Sequence, residues 1–153
     1  MDRYQDEEFM KLALKEAKKA LLINEIPIGC IIVDENNQII AKAHNIKYKN
    51  HDASAHAEIL AIRKAGKKRN DWRLDGCTMY VTVEPCLMCA SCILQSRISR
   101  LVFGLREEES GGFGSKYDIL EKEIFNFDVK KDVLADESKQ LLQGFFKNRR
   151  KNQ

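Results

Sequence analysis

Apolar residues at Phe9, Leu12, Ala13, Ala17, Ala20 and Leu21 recur at helical spacing across residues 7–22, which predicts an amphipathic first helix. Pro27 and Gly29 then break the pattern. The apolar run CIIV, the turn residues DENN and the run QIIAKAHN follow, and together they read as a β-hairpin over residues 30–45. A polar loop over 46–54 leads into AHAEILAIRKAG, a helix with Ser54 or Asp52 near its cap and Gly66 at its end. After NDWRLDG, the run CTMYVTV predicts a strand that stops at Glu84-Pro85. CLMCASCILQS reads as a helix and SRLVFG as the next strand. REEESGGFGS, residues 106–115, reads as an exposed, mobile glycine-rich loop. A weak strand over 125–129 and a last helix over 136–149 complete the chain. The order α-β-β-α-β-α-β-(β)-α predicts an α/β fold, a mixed sheet with helices on both faces.

Composition narrows the class. The chain has 153 residues, 44% hydrophobic and 32% charged, which fits one soluble globular domain spanning 1–153 and excludes a disordered chain. No apolar run approaches the ~20 residues that span a bilayer. The acidic start MDRYQDEEFMK lacks the apolar core of a signal peptide, so a cytoplasmic location is expected. A net charge of +3 does not by itself argue for nucleic-acid binding. The basic residues do cluster, in RKAGKKR (63–69) and KNRRK (147–151), and solvated helix ends explain either cluster taken alone.

Five cysteines change the picture, because Cys86, Cys89 and Cys92 crowd together in VEPCLMCASC. In a reducing compartment such crowding favours a metal over disulfides. Cys30 and Cys77 lie inside strand-like runs and read as small buried hydrophobes. Cys86 and Cys89, at i and i+3 of one helical turn, can both reach one zinc at ~2.3 Å. His56, at the start of another helix, can add a nitrogen. Helix N-termini favour the thiolate form. Cys92 lies six residues beyond Cys86, a rise of ~9 Å, too far for a shared tetrahedral zinc, so it reads as packing. Three protein ligands leave the fourth place to water, the pattern of a catalytic zinc. Glu58, two residues after His56, is placed to move a proton. HxE followed some thirty residues later by PCxxC is the signature of the zinc-dependent nucleobase deaminases.

Beyond these motifs, the chain resembles the bacterial tRNA adenosine deaminases. IPIG (26–29), His44-Asn45, WRLDGCTMYVTVEPC, SRISRLVFG, the loop pattern FG-R…GG-GS and LADES…FFKNRR carry the resemblance, in order, from about residue 8 to residue 150. It implies a three-layer αβα cytidine-deaminase-like fold with a five-stranded sheet and a homodimer. It also implies hydrolytic conversion of adenosine to inosine at the wobble position of a tRNA anticodon stem-loop. By the same resemblance His56, Cys86 and Cys89 hold one Zn2+ per subunit, and Glu58 shuttles the protons. Asn45 orients the target nucleotide, and Ile26, Pro27, Ile28 and Val83 wall the pocket. Ala57, Arg106, Glu107, Phe145 and Arg149 join the substrate-binding set.

Read without the resemblance, Asn45 ends a strand and at least one of Phe145 and Phe146 is core. Some positions depart from the pattern. Arg106-Glu107 stands where Arg-Asp is usual and is followed by Glu108 and Glu109. Ser91 and Cys92 replace Gly and Ala, and Cys30 stands where Ala is common. Three consecutive carboxylates weaken RNA binding unless they face solvent or bond ribose hydroxyls. Two other readings follow from the same residues. One is a deaminase of a free base or nucleoside of the guanine or cytosine type. The other is a zinc-stabilised RNA-binding module without catalysis, which requires Cys92 or another side chain at the fourth zinc position.

Overall fold

The computed structural model describes residues 3–122 and 127–151. Its elements follow the expected order: α1 (Arg3–Leu21), β1 (Gly29–Val33), β2 (Ile39–His44), α2 (Ala57–Arg69), β3 (Thr78–Val83), α3 (Leu87–Gln95), β4 (Arg100–Leu105), β5 (Asp128–Lys130) and α4 (Ala135–Lys151). The five strands form one sheet in the order β2-β1-β3-β4-β5. β1 runs antiparallel to both β2 and β3, whereas β3, β4 and β5 run parallel. Parallel neighbours need crossovers, and α3 supplies the one between β3 and β4.

The period-two alternation of the central strands sorts their side chains onto two faces. Ile31 and Val33 of β1, with Tyr80 and Val102, meet Met10, Ala13 and Leu14 of α1 and Leu141 of α4. Cys30 and Ile32, with Met79, Val81, Leu101 and Phe103, meet Ala57, Ala61 and Ala65 of α2 and Ala90 and Ile93 of α3. Helices therefore cover both faces, which is why β1 and β3 are buried along their whole length. Gly29 sets the distance on the α1 side. A Cβ there would collide with the Ala13 carbonyl and the Ala17 amide, so helix and strand touch backbone to backbone. At the other edge, the fully buried Asp6 of α1 accepts hydrogen bonds from Tyr80 Oη, from both terminal nitrogens of Arg100 and from Lys130 Nζ, each at 2.8–2.9 Å. Burial alone would raise the Asp6 carboxyl, but those hydrogen bonds overcome it and lower it to about 2.

Several local expectations need correction. Gly66 does not end α2. The helix runs on to Arg69, and Asn70 closes it in the left-handed conformation, φ 55°, which Asn tolerates better than most side chains. Lys67, Lys68 and Arg69 thereby fill the last turn, where cations suit the helix dipole. Ser54 and Asp52 lie near the helix start, as expected, and bond each other there: Asp52 Oδ1 accepts from the amide and the hydroxyl of Ser54. The N-cap residue is His56. Cys86 likewise precedes its helix as N-cap and is not part of the helical turn. The segment 106–115 is not an open loop, since Gly111, Gly112 and Phe113 are buried. The weak strand sits slightly later than expected, as Asp128–Lys130, while Phe125 and Asn126 fall outside the described residues. Among the described residues, no helix is long and apolar enough to cross a membrane.

Candidate active site

Four chain segments converge at the end of β3, and hydrogen bonds donated by backbone amides tie each to the next. The Gly29 amide bonds Thr82 Oγ1, and the Asn45 amide bonds the Ile28 carbonyl. The Ala57 amide bonds Asn45 Oδ1 at 2.8 Å. That last bond answers an open question about α2. His56 makes no side-chain cap bond, so Asn45, from the end of the hairpin, supplies the acceptor that a capping Ser or Asp would offer. The side-chain nitrogen Nδ2 of Asn45 is left to donate elsewhere.

His56 Nδ1 lies 3.7 Å from Cys86 Sγ and 3.4 Å from Cys89 Sγ. All three ligand atoms fall within 4.8 Å of one another, the one such group of His, Cys, Asp and Glu among the described residues. Zinc with ordinary bond lengths to sulfur and nitrogen and tetrahedral angles needs its ligand atoms about 3.6 Å apart, so the set fits that ion. The Cys86 thiol is lowered to about 4, first by its hydrogen bond with Cys89 and then by that with His56. Cys89 moves the opposite way, raised first by Cys86 and then by burial, and His56 is raised by its bond to Cys86. A thiolate beside a histidine, at the start of a helix, is what a divalent metal requires. Glu58 adjoins the set, only 4% exposed, and burial pushes its carboxyl up to about 7 against the opposing pull of a backbone hydrogen bond and His56.

The residues that the sequence reading puts around the base differ in burial. Pro27, Val83 and Ala57 are buried, and Ile26 and Ile28 are half-buried. Cys30 and Cys77 are fully buried, as expected. Cys92 stays outside the metal set and is only half-buried, bordering a shallow groove with Trp72 and Ile62. Arg106 is exposed and holds Asp132 through two hydrogen bonds of 3.0 and 2.9 Å. Glu107 turns its carboxylate onto the Glu109 amide, and Glu108 and Glu109 face solvent. Phe145 and Arg149 line a cleft with Tyr48 and Lys49. There the Arg149 guanidinium lies 4.5 Å from the Tyr48 ring centre. Phe145 is buried and Phe146 is exposed.

Sequence reasoning passed over two carboxylates. Glu84, nearly fully buried between β3 and Pro85, accepts hydrogen bonds from the amides of Glu107, Phe113 and Ser115 and from the Ser115 hydroxyl. A carboxylate closing so apolar a strand was the available signal, because a buried charge needs partners. Glu25, fully buried, accepts the Lys49 amide and so ties the Tyr48 cleft to the Ile26-Pro27 wall.

A histidine and two cysteines at paired helix starts, backed by a buried carboxylate, suit a hydrolytic metal enzyme of the deaminase class, and the sheet topology agrees. The chain belongs to the cytidine and deoxycytidylate deaminase family, whose zinc-binding region matches residues 3–105. It is 44% identical over 149 residues to the tRNA-specific adenosine deaminase of Bacillus subtilis (strain 168), covering 96% of this chain and 92% of that one. A solved structure from work on A-to-I editing by tRNA:A34 deaminases superposes with a TM-score of 0.84 at 36% identity, over 88% of this chain and 99% of the other. A guanine deaminase from Nitrosomonas europaea, 23% identical with a TM-score of 0.75 over 91% of this chain and 83% of that one, shares the fold.

Proposed function

We propose that this protein is a zinc-dependent hydrolase that converts adenosine to inosine at the wobble position of a tRNA anticodon loop. The observation that carries the reading is the buried Glu58 beside the His56–Cys86–Cys89 set, in a chain alike to a tRNA-specific adenosine deaminase over nearly its whole length. Zinc held by His56 Nδ1 and the two sulfurs supplies, when bound, a water acidic enough to serve as nucleophile at neutral pH.

The chain's own residues do the rest. Glu58 takes a proton from the attacking water and passes it to purine N1 while the water oxygen bonds to C6. As the C6–N6 bond breaks, Glu58 hands the amine the second proton, and ammonia leaves. Ile26, Pro27, Ile28 and Val83 exclude bulk water around the base, and the free amide nitrogen of Asn45 orients the nucleotide. An anticodon loop suits such an enclosed site, because extruding an unpaired base costs less than flipping one from a duplex. Arg149 and Phe145, with Tyr48, extend the contact surface along the RNA backbone. We read the working form as a cytoplasmic homodimer. In its support, Leu87 and Met88 in the first turn of α3 are each 40% exposed, and a second copy would cover them.

The test is inosine and ammonia production by zinc-loaded protein on an anticodon stem-loop with adenosine at the wobble position. Free adenosine, guanine and cytidine run in parallel. Turnover confined to the stem-loop supports the reading. Turnover confined to a free base would leave the fold and metal set standing and overturn the substrate.

A further inference from the structure

The buried Glu84 takes no part in the chemistry described above, and its two oxygens accept four hydrogen bonds. All four donors come from one segment, Glu107, Phe113 and Ser115. A carboxylate has lone pairs for four such bonds and no proton to offer, so it suits this cradle better than any neutral side chain. The same segment is joined to the metal helix by its backbone. The Gly112 amide bonds the Pro85 carbonyl at 2.8 Å, and Gly111 pairs with Cys86. Gly111 is needed there, because a Cβ would collide with the Glu84 carboxylate. Folded this way, the segment bends back on itself. The amides of Lys116 and Tyr117 both reach the Gly111 carbonyl, at 3.1 and 2.9 Å, and the Gly114 amide reaches the Tyr117 carbonyl. Both side chains are exposed, and the Lys116 ammonium lies 6.0 Å from the Tyr117 ring centre. A cation and an aromatic face presented together are the groups that bind phosphates and stack unpaired bases.

We infer that Glu84 is a positioning residue. Its carboxylate folds residues 107–115 against the metal helix so that Lys116 and Tyr117 stand next to the site as contacts for the substrate RNA. This rests on the tRNA reading above. Glu84→Gln replaces one acceptor oxygen with an NH2 group; with that group on the Oε1 side the Ser115 hydroxyl can turn to accept, but the Glu107 amide loses its acceptor and the segment loosens.

The test is steady-state kinetics on the same anticodon stem-loop for the unsubstituted protein, Glu84→Gln, Lys116→Ala and the double variant, with zinc content measured on each. The expected result is a KM raised about tenfold by Glu84→Gln and several-fold by Lys116→Ala, with kcat within about twofold and one zinc per chain throughout. In the double variant KM should be no higher than in Glu84→Gln alone, because a misplaced Lys116 has little left to lose. An unmoved KM, a loss of zinc with a fall in kcat, or fully additive effects would overturn the inference. Should Glu84→Gln fail to fold, Ser115→Ala takes its place in the same cycle and is judged by the same outcomes. An inactive unsubstituted protein would overturn the tRNA reading together with this one, whereas an active protein with unmoved KM values would overturn this one alone.

Discussion

His56 and Cys86 hold the same position in two different helices. Each is an N-cap residue with extended backbone, φ −77° and ψ 151° for His56, φ −72° and ψ 175° for Cys86, and neither side chain makes a cap hydrogen bond. Their ligand atoms face each other at 3.7 Å. A Ser or Asp at either place would turn back to its own helix. These two side chains turn away from it, toward the other helix start, and the metal set is built where two positive dipole ends meet.

Cys86→Ser should therefore change stability in opposite directions with and without zinc. The serine lowers metal affinity, so the zinc-loaded variant should melt several degrees below the unsubstituted protein. In excess chelator the serine caps α3 and should leave the variant more stable by about 0.5–1 kcal/mol. Thermal melts with zinc and with chelator check both signs.

Glu58→Gln should keep stoichiometric zinc and near-normal stem-loop affinity while kcat falls about 10²–10⁴-fold, the usual contribution of a proton-transferring side chain. Zinc content, RNA binding and single-turnover rates on one preparation separate this from a loss of fold.

The Asn45 side chain has one bond to the fold and one group left for substrate, and two substitutions separate them. Asn45→Ala removes the acceptor of the Ala57 amide and should cost about 1 kcal/mol of stability as well as turnover. Asn45→Asp keeps an acceptor oxygen and loses the NH2 donor. Urea unfolding should find its stability restored, while its kcat/KM stays low.

Asp6 makes stability depend on acid. Its folded value of about 2 lies below the ordinary 3.8, so its contribution is fully present above about pH 4 and is lost as pH falls through about 2. The difference contributes about 2 kcal/mol at neutral pH. Asp6→Asn should be less stable by about 3 kcal/mol at pH 7, since Arg100 and Lys130 lose the buried carboxylate between them while Arg100 keeps only Asp128, and the gap should narrow by about 2 kcal/mol between pH 4 and pH 2. Urea unfolding at several pH values, with chelator in both samples, keeps metal loss from imitating the effect.

What was legible in the sequence was what depends on neighbours along the chain. The hairpin, the strand ahead of Pro85 and the two covered faces follow from local spacing, and the structure has them. Gly66 misled because glycine serves both as a helix end and as a tolerated interior residue, and the left-handed Asn70 decided between them. The cap of α2 was missed because its acceptor, Asn45, lies 12 residues upstream in another element. Residues 106–115 looked mobile because the carboxylate that holds them lies 23–31 residues earlier than its donors. Local pattern carries no trace of a partner so far away.

The anchorage of Asp6 also bears on how the chain is made. Its three partners follow it by 74, 94 and 124 residues. On a ribosome adding ~5–20 residues per second, Lys130 emerges on the order of ten seconds after Asp6. Through that interval α1 can form and lie against β1 at Gly29, yet its buried carboxylate lacks its full set of cations. α1, made before the rest of this fold, is thus among the last of its elements to be locked down, and a nascent chain stalled before Lys130 would present that helix, still loosely held, to chaperones and proteases.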